Sequence, residues 1–197
     1  MVSFVQIHAN QVIEIFQDHH NRTIELRHIV DDKLFAQAAP IFTIAFLKAY
    51  ENMTDEELKL VKPLTIKQRL DLYFEQEELL PFCEKKFFAV GAFFENNLIG
   101  YISFDNPTNL GELYIRQLAI DINYWQSSIG RKLVFSTLKL FPNTICLALV
   151  TRRKNEYARI FYEHLAFVEC EDYIHPPWDP EDFIGYKKII GLDSMSL

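Results

Sequence analysis

The chain has 197 residues, 49% of them apolar and 24% charged, with a formal net charge of −7. A chain of this length fits one domain that buries a large core without a disulfide or metal staple. The acidic balance excludes a phosphate-backbone footprint, which needs clustered positive charge, so nucleic acid is not an expected partner. Cys83, Cys146 and Cys170 are widely spaced and form no C-x-x-C, the pattern of reduced thiols. The first residues lack a basic region followed by an apolar run, and no stretch reaches about 20 apolar residues. A cytoplasmic protein with no membrane partner is therefore expected.

Residues 1–22 read as an N-terminal extension, in which VQIHANQVIEIF fits either a short helix or a strand. Its histidines, His8, His19 and His20, lack carboxylate or cysteine partners at ligand spacing, so no metal is expected. Residues 23–197 read as one domain. TIELRHIV alternates like a strand. Asp31 and Asp32 then offer an N-cap to LFAQAAPIFTIAFLKAY, which is apolar at near-helical spacing and is expected to kink or break at Pro40. Thr54 to Glu57 has the capping-box pattern. Thr65 to about Leu80 predicts a helix ended by Pro81.

From residue 86 the period changes. KFFAVGAFF, LIGYISF and ELYIRQLAI are strand-like, with Asn96-Asn97 as a hairpin signal between the first two. Residues 131–140 predict a helix, 145–151 a buried strand and 155–165 a helix. Two strands follow, at about 167–174 and 183–190, on either side of the Pro- and Asp-rich loop HPPWDPED. Cys146, inside an apolar strand, reads as a small buried hydrophobe.

Two segments carry the chemistry. YWQSSIGRKLV, residues 124–134, leaves a strand and opens a helix. The free amides and partial positive charge of a helix N-terminus suit a pyrophosphate, and Gly130 permits close backbone approach. NEYARIFYEHLAF, residues 155–167, sets Asn155, Ala158, Phe161-Tyr162-Glu163 and Leu165-Ala166-Phe167 at helical spacing. Together these segments resemble the GNAT superfamily of acyl-CoA-dependent N-acyltransferases, over roughly residues 24–190. The resemblance implies an α/β (α+β) fold. Its mixed, mostly antiparallel central sheet is flanked by helices in the order β-α-α-β-β-β-α-β-α-β-β.

It also implies roles for individual residues. Tyr162 would protonate the departing CoA thiolate, which a phenol with a pKa near 10 can do. Asn155 would contact the pantetheine region and also suits an N-cap. The backbone at Leu118, Ala119 and Ile120 would pair with the pantetheine arm, with the Ile120 amide holding the thioester oxygen. Gln126, Ser127, Ser128, Ile129, Gly130 and Arg131 would cradle the pyrophosphate of acetyl-CoA. The sequence departs from the family pattern at three places. Ser128 fills a glycine slot, Trp125 fills a Gln/Arg slot, and Ala166 replaces the glycine of the usual LGF.

A base is needed because a protonated amine has no lone pair with which to attack. On a regular strand Glu112, Tyr114, Arg116, Leu118 and Ile120 share a face, and Glu112 is the carboxylate on it, which makes it the expected base. His164 lies about 200° around the helix from Tyr162 and is expected to point away. His175 stands in a loop that could overhang the pocket.

The expected activity is acetyl transfer from acetyl-CoA to an amine-bearing small molecule or protein, by a monomer or homodimer. The alternatives are a CoA-binding module that does not catalyse, and a transferase of longer or aromatic acyl groups. In the family the acceptor pocket is built by the first two helices and the last inter-strand loop. Here these offer Phe42, Phe46, Tyr50, Tyr73 and Trp178, with Asp179, Glu181 and Asp182.

Overall fold

The structure, a computed structural model, describes residues 11–54, 56, 64–174 and 179–191. Eight strands form one sheet in the order β1-β2-β3-β4-β5-β6-β8-β7. They are β1 Val12–Gln17, β2 Thr23–Ile29, β3 Phe87–Phe94, β4 Asn97–Asp105, β5 Glu112–Ile120, β6 Cys146–Arg152, β7 Val168–Glu169 and β8 Phe183–Ile189. Every pairing is antiparallel except β5 with β6. The mixed, mostly antiparallel sheet expected from the sequence is therefore present. The N-terminal segment adds an edge strand to it: VIEIFQ takes the strand alternative and pairs with β2.

The helices are α1 Asp32–Ala36, α2 Ala38–Ala49, α3 Ile66–Tyr73, α4 Leu80–Cys83, α5 Ile129–Leu140 and α6 Glu156–His164. They cover both faces. On one face α5 and α6 pack with Leu26, Ile102, Leu113, Ile115 and Leu147. On the other, α1 to α4 enclose an aromatic layer of Phe35, Phe42, Phe74, Phe82, Phe87 and Tyr101. The rings of Phe35 and Phe82 stack at 4.2 Å, and Tyr101 meets Phe35 edge-on at 5.6 Å. The phenylalanines are shared between the two cores, and this layer stacks its rings directly on one another. No helix of the described residues is long and apolar enough to cross a membrane.

Local signals held where the backbone decides them. Asp31 caps α1 by accepting from the Leu34 amide. The break in the following helix falls at Gln37, and Pro40 sits in the first turn of α2, where a missing N–H is harmless. Glu95 and Asn96 both have positive φ (50° and 64°), placing the β3–β4 hairpin turn one residue earlier than expected. Glu57 lies outside the described residues, and with it the expected box at Thr54. A capping box does form between Thr65 and Gln68.

Pro81 does not end its helix. The path continues from α3 through a π-helical turn, Phe74–Leu79, into α4, with Pro81 in the first turn of α4. In an α-helix residue 81 would donate to the carbonyl of Glu77, which Pro81 cannot do. Arg116 on β5 donates to that carbonyl instead, from Nη2 at 2.9 Å. A distant strand thus satisfies the group that the proline leaves open, and the helix survives.

Candidate functional site

The site starts with an irregularity in β5. Its pairing with β4 runs Gly100↔Ile120 to Ser103↔Gln117, then shifts to Phe104↔Ile115, so Arg116 is an extra residue in a β-bulge. One extra residue reverses the alternation of side chains. Leu113 and Ile115 before the bulge, and Leu118 and Ile120 after it, all join the α5–α6 core, whereas Ala119 joins the opposite layer. Glu112, Tyr114 and Arg116 therefore do not share a face with Leu118 and Ile120. The regular alternation assumed from sequence fails here because the bulge is invisible in a hydrophobic pattern.

Beyond Tyr114↔Ala148 the ladder between β5 and β6 stops. Residues 115–120 and 149–152 are strand on both sides but lie beyond the last pair of that ladder. Such a parting leaves alternate backbone groups of β5 facing a gap where an extended, amide-bearing ligand could pair, although the Ile120 carbonyl already accepts from the Trp125 indole N–H at 2.9 Å. The Tyr114 ring belongs to this gap. The backbone of Val150 hydrogen-bonds to its hydroxyl, while burial and the nearby Asp105 push its pKa up to about 12. Tyr50 from the end of α2 reaches the end of β6 that is paired with β8 alone, where the Arg152 guanidinium lies 5.6 Å from its ring. Trp125 and Tyr157 meet at 5.3 Å, joining the loop after β5 to α6.

At the end of β5 the chain makes a short turn, Ile122–Tyr124, and enters α5. Gln126 and Ser128 both adopt left-handed backbone, φ 59° and 68°. Ser128 is the N-cap of α5 and makes no side-chain cap bond, so the amides of Ile129, Gly130 and Arg131 open the helix without an internal acceptor. Ser127 is buried and its hydroxyl donates to the Tyr124 carbonyl. Gly130 is needed for packing. A Cβ there would lie 3.0 Å from Phe161 and 3.1 Å from Ile120. Arg131 lays its guanidinium 5.7 Å from the Phe135 ring, along the helix surface.

Asn155 is the N-cap of α6; it is buried and accepts from the Ala158 amide at 3.1 Å. Tyr162 lies on the buried face of this helix, between Phe161, Phe167 and Tyr186. Burial, with a smaller contribution from Tyr114, holds its hydroxyl well above the ordinary phenol pKa. His164 is exposed, away from Tyr162 as expected. The helix ends in a Schellman motif: Phe167 donates to the Tyr162 carbonyl and Ala166 to that of Glu163. Ala166 takes the left-handed conformation, φ 58°, that glycine normally supplies.

The structure thus brings Ile120, Gly130 and the α6 helix together, with Tyr162 beside Tyr114. Glu112 stands apart, at the start of β5, where Tyr173 donates to it at 2.9 Å. Eight strand steps separate it from Ile120, about 26 Å of extended chain. Of the acceptor-side aromatics, Phe42 is core, and Phe46, Tyr50 and Tyr73 are partly buried against the same layer. His175 and Trp178 lie outside the described residues. Asp179 caps its own turn, and the segment is anchored by Arg153, which donates to the Asp182 and Pro180 carbonyls.

One group escaped sequence reasoning. Glu78 sits in the π-helical turn, 1% exposed. Ser103 donates to its Oε2 at 3.0 Å, while Arg116 approaches Oε1 only to 3.6 Å and that oxygen has no hydrogen-bond partner. Burial pushes its pKa up to about 7, against the opposing pull of Arg116. The Tyr101 hydroxyl is buried nearby, also without a partner, and Tyr73 is influenced by the same carboxylate. A glutamate at position i+5 from a tyrosine gives no signal in a helical pattern, because the π turn that brings them together is not encoded by periodicity.

A sequence model described as the acetyltransferase (GNAT) family matches residues 49–167. Among curated proteins none matches. Solved structures with the same fold include PaiA N-acetyltransferase from Thermoplasma acidophilum in complex with coenzyme A. It is 18% identical with a TM-score of 0.65, over 85% of this chain and 99% of that one. A GNAT-family acetyltransferase from Staphylococcus aureus Mu50 (18% identical, TM-score 0.58) covers 85% of this chain and 99% of its own. An acetyltransferase from Streptococcus agalactiae 2603 (18% identical, TM-score 0.57) covers 85% of this chain and 98% of its own.

Proposed function

Because the chain belongs to the GNAT acetyltransferase family, we propose that it moves the acetyl group of acetyl-CoA to an amine, with both substrates held together and the amine attacking directly. The observation that carries this reading is the parting of β5 and β6 beyond Tyr114↔Ala148, with the uncapped N-terminus of α5 at its end. Acetyl-CoA supplies the activated acyl group and a thiol leaving group. The chain's residues do the rest. The backbone of Leu118, Ala119 and Ile120 pairs with the pantetheine arm. The amides from Gln126 to Arg131 take the pyrophosphate, and Asn155 borders the arm while capping α6. That one similarly folded protein was crystallised with coenzyme A supports the choice of ligand.

Tyr162 is the proposed acid. Burial holds its hydroxyl protonated, and the same burial makes it a weaker acid than a free phenol, so the role rests on its position on α6 and not on the shift. Two carboxylates compete as base. Glu112 is the one on β5 itself, tied to Tyr173. Glu78 belongs to the helical layer on the acceptor side, and its pKa of about 7 suits proton exchange near neutrality. The acceptor is an amine on a small molecule or protein with an apolar body, received by Phe46, Tyr50 and Tyr73. The acidic turn at Asp179, Glu181 and Asp182 draws its charge. The chain is proposed to work in the cytoplasm as a monomer or homodimer.

A second reading, a CoA-binding module without turnover, is favoured by Trp125, which pairs with Tyr157 where the family places a polar side chain. Calorimetry with acetyl-CoA, followed by thiol release on an amine panel, separates the two. Binding with turnover supports the enzyme. Binding without turnover on any amine supports the module.

A further inference from the structure

The N-terminal edge strand is fastened to the loop that enters α5. The β1–β2 turn is built on Asp18, which is 4% exposed and accepts from the amides of His20 and Arg22, both at 2.9 Å. Arg22 donates from Nε to the same carboxylate at 2.7 Å and lays its guanidinium 4.2 Å from the Tyr124 ring. His19 then contacts the Gln126 carbonyl at 3.1 Å through Nδ1, which must carry the proton because a carbonyl only accepts. Behind this turn Glu14 of β1 ion-pairs with Lys132 (2.7 Å) and Lys139 (2.8 Å) of α5.

The contact falls on a strained residue. Gln126 is left-handed without being glycine, and so is Ser128 two positions on. Such conformations persist when their surroundings over-determine them, and they cluster where ligands are clamped. The peptide bond is planar and trans, so the Gln126 carbonyl and the Ser127 N–H point in opposite directions. Fixing the carbonyl from the hairpin side aims the Ser127 amide the other way.

We propose that the β1–β2 turn is a positioning element of the cofactor site: through His19 on the Gln126 carbonyl and Arg22 on Tyr124 it aims the amides at 127–129 at the diphosphate of CoA. This rests on the reading that the loop holds that diphosphate. Neither side chain needs to touch the ligand. What matters at position 19 is a donor where Nδ1 stands, which asparagine can supply and alanine or aspartate cannot.

The test uses the full chain with His19→Asn, His19→Ala, His19→Asp and the double change His19→Ala with Arg22→Leu. Calorimetry measures the Kd for CoA and for pantetheine, which lacks the diphosphate. Hydrogen exchange follows residues 121–131 of the ligand-free chain. His19→Ala should weaken CoA binding about three- to tenfold, the range of one modest hydrogen bond, and His19→Asp at least as much. The double variant should be weaker still, His19→Asn should stay within about twofold of wild type, and pantetheine affinity should not change. Loop amides should exchange faster in every variant except His19→Asn. Equal CoA affinity and equal loop exchange in the folded double variant overturn this proposal alone, as does equal weakening of CoA and pantetheine. A wild-type chain that binds no CoA overturns the parent reading and this one with it.

Discussion

Tyr162 has its ring packed between Phe167 and Tyr186 and its hydroxyl held protonated by burial. Tyr162→Phe keeps that packing and removes only the hydroxyl. CoA affinity should persist while kcat falls roughly 10²-fold or more. Normal turnover in that variant would make Tyr162 a packing residue. Glu78 gives a pH signature independent of activity. Its pKa rises from 4.5 to about 7 on folding, chiefly through burial. Between these values the folded chain holds a proton that the unfolded chain has lost. Its contribution is therefore most favourable below about pH 4.5 and is lost as pH rises towards 7. The shift corresponds to about 3 kcal/mol. Urea unfolding at pH 5 and pH 8 should show wild type losing stability relative to Glu78→Gln over that interval; parallel curves would contradict the buried carboxylate. If Glu78 is also the base, Glu78→Gln should remove an inflection near pH 7 from kcat/KM and Glu112→Gln should keep it. Ser128 and Ala166 are left-handed without being glycine. Ser128→Gly and Ala166→Gly should each stabilise the fold by about 1 kcal/mol, read as a higher urea midpoint.

At the scale of elements, α5 is locked against α6 and β5 through Gly130, where a methyl would meet Phe161 and Ile120 at 3.0–3.1 Å. Gly130→Ala should cost about 1–3 kcal/mol by overpacking. A double-mutant cycle with Phe161→Leu should recover part of that loss, since the two changes share a contact. Strict additivity would place the strain elsewhere. The elements themselves were largely legible. Alternation marked β2, β-branched and aromatic runs marked β3 to β5, the apolar run marked β6, and Asn155 announced α6. What stayed hidden was decided by distant partners. Pro81 reads as a helix stop until Arg116 satisfies the Glu77 carbonyl. The bulge at Arg116 reverses which side chains of β5 share a face, and no local residue type marks it. The β1 segment is equivocal alone and becomes a strand because β2 offers it an edge.

In the whole molecule, two cores on opposite faces of one sheet divide the labour. The α5–α6 core carries the proposed cofactor elements, and the aromatic layer under α1 to α4 carries the proposed acceptor side. The β5–β6 ladder ends between these two layers, beyond Tyr114↔Ala148. The likeness in fold to a solved acetyltransferase extends over 85% of the chain. The measurement that tests the central claim most directly is a paired one on wild type and Tyr162→Phe: calorimetric titration with acetyl-CoA, then mass-spectrometric detection of acetyl transfer across an amine panel. The account predicts that both proteins bind acetyl-CoA with similar affinity and that wild type acetylates an amine while the variant is slower by about 10²-fold or more. Binding by wild type without transfer to any amine would contradict catalysis, and no binding at all would contradict the assignment of the β5–β6 gap.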